Sequence, residues 1–111
     1  MKKTGIELKR DISIKGLQPE MLIGLMIIEQ IYTNFNLKTT ITSGTEGFEG
    51  DGIHMEGSLH YKGLALDFRK RTVPEAYLEI FLEQLEDKLG REFDVVDHST
   101  HYHVEFDPKE A

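Results

Sequence analysis

The chain has 111 residues, with 13 Lys and Arg against 20 Asp and Glu, a formal net charge of −7 and no cysteine. That length is one domain, long enough to bury its own core, and the missing cysteines exclude disulfides, thiolate-bound metal and a thiol nucleophile. The acidic balance argues against a nucleic-acid or membrane-surface partner, and no apolar run approaches the ~20 residues of a membrane span.

Residues 1–10 carry lysines but no apolar stretch, so no signal peptide is expected. Ile6, Leu8, Ile12 and Ile14 alternate with polar residues and predict extended chain, with Arg10 breaking the apolar face. Pro19 opens a helix, where its missing N–H is harmless. Met21, Leu22, Leu25, Ile28, Ile31, Tyr32 and Phe35 recur at steps of three and four, which predicts a largely buried amphipathic helix over Pro19–Asn34. Leu37, Thr39, Ile41 and Ser43 then read as a strand.

Residues 43–58 hold five glycines and several acids with no apolar periodicity. A long loop of this kind inside a small domain is usually functional or bound to something. Residues 64–69 form a short strand with Leu64, Leu66 and Phe68 on one face and Ala65, Asp67 and Arg69 on the other. Thr72 with Glu75 has the spacing of a capping box. The helix it introduces carries Tyr77, Ile80, Phe81, Leu85 and Leu89 on one stripe, and Gly90 is placed to stop it. Residues 93–97 and 102–106 predict a hairpin. The expected fold is α+β: one domain, a small and mainly antiparallel sheet, and helices on one face.

The chemistry concentrates in the histidines. Of the five, three lie within residues 97–103, and the others are His54 and His60. His60 precedes Asp67 by seven residues, at the mouth of the strand that carries it, while His101, His103 and Glu105 share one face of another strand. If those strands are neighbours, two imidazoles and a carboxylate converge, a common set for catalytic zinc with a fourth position open to water. Asp97 and Glu105 are nearby candidates for a general base.

The string Ser-Leu-His-Tyr-Lys-Gly-Leu-Ala-Leu-Asp at 58–67 resembles the Ser-x-His-x-x-Gly-x-Ala-x-Asp signature of zinc D-Ala-D-Ala carboxypeptidases and related peptidoglycan peptidases. It is even more similar to the hedgehog N-terminal signalling domain, which has Ser-Leu-His-Tyr-Glu-Gly-Arg-Ala-Val-Asp. Upstream, Thr45-Glu46-Gly47-Phe48-Glu49-Gly50-Asp51-Gly52-Ile53-His54 resembles hedgehog's Thr-Glu-Gly-Trp-Asp-Glu-Asp-Gly-His-His without a gap. Downstream, residues 97–103 match the length of hedgehog's Glu-Ser-Lys-Ala-His-Ile-His. In element order the resemblance runs over roughly residues 16–106.

The resemblance implies one zinc, held by His60, Asp67 and His103. It puts the general base at Asp97, one methylene shorter than the family's glutamate. His101 would hydrogen-bond water or the developing oxyanion, and His54 would line the cleft. Hedgehog domains also bind calcium through loop acids, and Glu46, Glu49 and Asp51 match three of those positions with hard oxygen ligands. The carboxypeptidases carry an Arg shortly after a Ser-Gly, which can hold a terminal carboxylate. Here Ser43-Gly44 is followed by Thr45-Glu46, so that role would fall to Lys62 or Arg69.

Three functions follow as expectations. The first is a zinc-dependent peptidase acting on stem or cross-bridge peptides of peptidoglycan. The second is a hedgehog-like binding module that docks a partner on the zinc cleft. The third is a structural zinc protein. A peptidase of this kind without an export signal would be cytoplasmic, or phage-encoded and released to the wall.

Overall fold

A computed structural model describes residues 4–108. The first three residues of the stretch read for a signal peptide thus lie outside the described residues. The strands are β1 (Ile6–Leu8), β2 (Thr39–Ser43), β3 (Ala65–Arg69), β4 (Phe93–Asp97) and β5 (His101–Phe106). Two helices, α1 (Pro19–Asn34) and α2 (Leu78–Leu89), complete the fold, and a 3₁₀ turn at Glu75–Tyr77 leads into α2. The sheet order is β1-β2-β3-β5-β4. β1 runs parallel to β2, and every other pair is antiparallel. This is a small α+β domain. Among the described residues no helix is long and apolar enough to cross a membrane.

Both helices pack on the sheet face that carries Leu66, Phe68, Tyr102 and Val104. Met21, Leu25, Ile28, Ile31 and Tyr32 come from α1, and Phe81, Leu85 and Leu89 from α2. Each buried side chain of this kind contributes about 1.5–3 kcal/mol. Phe81 stands edge-on to Tyr32, with ring centroids 4.8 Å apart, and stacks against Tyr102 at 5.6 Å. Tyr102, with its ring in the core, has its phenol pushed up to about 12, by burial first and then by the nearby Asp97 charge.

The helix over Pro19–Asn34 forms as predicted, with Pro at its first turn. It is less buried than its composition suggests: Leu22, Ile23 and Met26 are exposed. The N-terminal extended run is also shorter. β1 ends at Leu8, the chain turns at Asp11 with φ +68, and Ile12 and Ile14 fold back onto the core.

The capping box does not form. Helical hydrogen bonding begins at Pro74, whose carbonyl accepts from Tyr77 N–H, so the helix starts two residues after Thr72. No side chain caps the 3₁₀ turn or α2. Val73 is instead buried in the core. The later start changes which residues face inward. Leu78 and Leu82 join Phe81, Leu85 and Leu89, while Tyr77 and Ile80 are exposed. Gly90 ends α2 at φ +80, as expected of a C-terminal glycine.

Candidate metal centre

The opposite sheet face carries the site. In a strand, alternate residues share a face, so Asp67 and Arg69 of β3 lie with His101, His103 and Glu105 of β5. The register sets Asp67 directly opposite His103 and Arg69 opposite His101. His60 comes from the long loop. Its turn is closed by Gly63 N–H donating to His60 O at 3.2 Å, and Ser58 Oγ accepts His60 N–H at 3.1 Å.

His60, Asp67 and His103 each present a ligand atom, and these atoms lie within 4.8 Å of one another. His60 Nε2 is 3.3 Å from Asp67 Oδ1. His103 Nδ1 is 2.8 Å from the same oxygen. The outer nitrogens settle which ring atoms are free. His60 Nδ1 donates to Gly44 O at 2.9 Å, and His103 Nε2 donates to Glu105 Oε1 at 2.8 Å. Outer hydrogen bonds of this type fix ring orientation and tautomer in metal sites. The inner nitrogens therefore offer lone pairs toward a carboxylate. Lone pairs at 2.8 Å repel unless a cation lies between them. A proton on His103 Nδ1 satisfies this in the metal-free protein, and a metal ion can replace it. The residues thus fit a divalent metal: two imidazoles, one carboxylate and two outer partners.

Burial alone would raise the Asp67 carboxyl, but its close contacts with His103 and His60 hold it well below the usual carboxylate range. The bond to Asp67 raises His103; burial opposes this and Glu105 supports it. His101 is lowered, mainly by burial, against the pull of Asp67. Its Nε2 lies 3.6 Å from Asp67 Oδ2, and its Nδ1 is 3.0 Å from the Thr100 hydroxyl.

His54 stacks on His60, with ring centroids 4.5 Å apart and an 8° tilt. Its Nε2 is buried and lies 3.4 Å from Glu46 Oε2, without hydrogen-bond alignment. A cleft of about 430 Å³ opens in front of the donor atoms, and Ile53 and Met55 form an apolar lip. Its size is within the range of small-ligand sites.

Three expectations about site residues change. Asp97 does not join the donor atoms. It pairs with Tyr102, so it belongs to the helix-side face, while Val96 pairs with His103. There Lys70 Nζ holds it at 2.6 Å. The acids expected for calcium do not converge either: among the described residues, Glu46, Glu49 and Asp51 form no metal-sized group. Each is spent on the loop itself. Glu46 accepts from Ser13 N–H, Gly44 N–H and the Ser43 hydroxyl. Glu49 accepts from Gly57 N–H. Asp51 accepts from Phe48 N–H, Ile53 N–H and the Tyr61 hydroxyl. These bonds staple a glycine-rich segment that has no strand or helix to order it. Lys62 is exposed on the turn after His60 and lines neither cleft beside the donor group, whereas Arg69 does line one.

Two residues enter the site without having been singled out. His98, in the hairpin turn, lies against His101 at 4.6 Å and lines the cleft. Its place in the histidine-rich 97–103 segment was the available signal. Tyr61 accepts His54 N–H at 2.7 Å and so positions that ring. Glu105, read as a possible base, orients His103 instead.

Comparison of the chain with protein-family models, with curated proteins and with solved structures finds no match.

Proposed function

We propose that the protein is a zinc-dependent peptidase acting on peptides derived from peptidoglycan. The observation that carries this reading is the convergence of His60, Asp67 and His103 on one point, with outer nitrogens tied down and an open cleft in front. Zinc held by these residues would supply a Lewis acid for a carbonyl oxygen and a water of lowered pKa. Three protein ligands fit a catalytic site better than a structural one, which is usually closed by four.

The proton-handling role passes from Asp97 to His101. Its Nε2 faces the cleft beside Asp67, and its ring is anchored through Thr100. A neutral imidazole there accepts the proton of an attacking water and returns it to the leaving amine. His54, packed flat behind His60, orients that ring. The substrate class rests on the similarity of residues 58–67 to the zinc D-Ala-D-Ala carboxypeptidase signature.

A second reading is a binding module that uses the same cleft to dock a partner. The exposed apolar residues Phe48, Ile53 and Met55 on the loop above the donor group favour it. Digestion of purified muropeptides by zinc-loaded protein, followed by mass spectrometry, separates the two. A product from wild type that disappears in His101→Ala, with zinc content unchanged, establishes the peptidase. No product from zinc-loaded wild type rejects it in favour of the binding module.

A further inference from the structure

β4 is an outer strand of the sheet, and its register with β5 runs unbroken from the Phe93–Phe106 pair to the Asp97–Tyr102 pair. In an antiparallel ladder, hydrogen-bonded pairs alternate with non-bonded ones. His98 N–H donates to His101 O at one end of the hairpin, and Asp107 N–H donates to Glu92 O at the other. Residues 92, 94, 96 and 98 therefore bond toward β5, and residues 93, 95 and 97 turn their backbone groups outward. Phe93 N–H is taken by Gly90 O. Among the described residues no other backbone group reaches Phe93 O, Val95 N–H and O, or Asp97 N–H and O.

Open edges are usually blunted by a very short strand, a proline, a lysine or a bulge. The far edge follows that rule, since β1 has three residues. β4 has five, with two valines and neither proline nor lysine, and its pairing with β5 has no bulge. Its only charges are Asp94 and Asp97, which guard the edge against acidic chains and not against basic ones.

A groove of about 720 Å³ runs along this edge, between the strand and the C-terminal end of α2. Glu86 and Asp87 line it from the helix, and Asp94 and Glu105 from the sheet, against one base, Arg91. The last carbonyls of α2 add partial negative charge at the same end. Val95 and Val96 supply apolar surface on the two sides of the strand.

We propose that the β4 edge docks an extended basic peptide segment of a partner protein, which adds to the five-stranded sheet as a further strand. Outward backbone groups of residues 93, 95 and 97 supply the attachment, as in other strand additions. Alternation of the added strand sends its side chains to both sides of the sheet. On the helix side they meet Glu86 and Asp87, and on the metal-centre side Asp94 and Glu105, so basic residues are favoured on either side. A second copy of this chain fits poorly. It would bring its own Asp94, Asp97, Glu86 and Asp87 into the groove, and like charges facing one another across paired strands destabilise the pairing.

The test titrates the full chain with acetyl-Lys-Val-Lys-Val-Lys-amide and with acetyl-Glu-Val-Glu-Val-Glu-amide, followed through backbone amide signals in NMR. The lysine peptide is expected to shift Val95, Val96 and Asp97, to slow hydrogen exchange at Val95 and Asp97 N–H, and to bind roughly tenfold or more tighter than the glutamate peptide. Its binding should weaken as salt is raised. Glu86→Lys and Asp87→Lys, both at exposed positions of α2, should each lower its affinity while the remaining spectrum stays native. Equal affinity for the two peptides overturns the proposal, as does unchanged affinity in both folded variants. Lysine-peptide binding that leaves Val95 and Asp97 exchange unprotected overturns strand addition, and shifts confined to the metal cleft overturn the location. A concentration-dependent dimer in sedimentation that protects Val95 N–H without any peptide would put a second copy on the edge and overturn the basic partner.

Discussion

Asp67 and His103 are register partners across β3 and β5, and their Oδ1 and Nδ1 atoms are 2.8 Å apart. Two residues 36 positions apart in sequence thus meet at one partly buried contact, and β-pairing sets its geometry. A ligand pair on adjacent strands of one sheet is held by backbone hydrogen bonds on both sides, which suits a site that must keep its shape when empty.

Metal binding at this pair should release a proton. His103 is raised by Asp67, so its Nδ1 proton must leave before a metal occupies the position. Zinc affinity should rise with pH until it passes the raised His103 value, then level off. Calorimetry in two buffers of different ionisation enthalpy measures the release directly. Absence of proton uptake by the buffer below pH 7 would contradict the assignment of Nδ1 as a ligand atom. Stability of the metal-free protein follows the opposite sign for His103. Its contribution is complete below the unfolded value of about 6.5 and is lost as pH rises through the raised folded value. The contribution of Asp67 is present above its unfolded value of about 3.9 and disappears as pH falls through its depressed folded value. The pair therefore stabilises most between those two unfolded values, and denaturant midpoints across pH 3–8 should show a maximum there.

Glu105→Gln tests the outer partner of His103. The amide is nearly isosteric, but the charge that supports the imidazole is gone. Losses of this kind typically lower metal affinity about 10–100-fold. Competition with a chromogenic chelator gives the number, and a circular dichroism melt confirms that the fold is intact. Affinity equal to wild type would mean that Glu105 does not support the site.

Asp97→Ala separates what the motif resemblance implies from what the geometry implies. A general base at Asp97 would make the variant inactive. Its position on the Tyr102 face, salt-bridged to Lys70, predicts unchanged zinc affinity and unchanged turnover. The cost should be confined to stability and stay within about 1 kcal/mol, because the pair is partly exposed. A folded, zinc-loaded and inactive Asp97→Ala would overturn the face assignment.

Much of this was legible in the residues. Pro at the first turn and a clean three-four spacing marked α1 to its ends. Period-two alternation put Asp67 and His103 on polar faces, and adjacency of β3 and β5 brought them together. The placement of Asp97 away from the donor atoms has a simple cause. Counting six residues back from His103 keeps parity only within one strand. Here a turn intervenes, and the turn sets the register: Val96, not Asp97, pairs with His103. The acidic loop misled differently. Composition shows that acids are present, but not that backbone N–H groups of a glycine-rich segment will occupy them. Capping at Thr72 failed because local spacing competes with burial of Val73 in the core, and burial prevailed.

Gly63 is where backbone conformation and the metal centre meet. It closes the turn that presents His60, and its φ is +73, a region that disfavours any side chain. Space is closed as well: a Cβ at this position would collide with the carbonyl oxygen of Gly16. The approach is needed because Gly63 O accepts Gln18 N–H at 3.0 Å, docking the His60 turn to the residue just before α1. Gly63→Ala must therefore push the turn away from that segment. The backbone strain alone costs about 1–3 kcal/mol, and the displacement should carry His60 Nε2 off the point it shares with Asp67 and His103. The variant is expected to bind zinc more weakly even at temperatures where it remains fully folded. Gly57→Ala is the control, with a similar φ of +78 but no atom within 4 Å of the added carbon. Equal losses of zinc affinity in both variants would assign the effect to general loop strain. A loss confined to Gly63→Ala would tie His60 placement to the close packing of its turn against the start of α1.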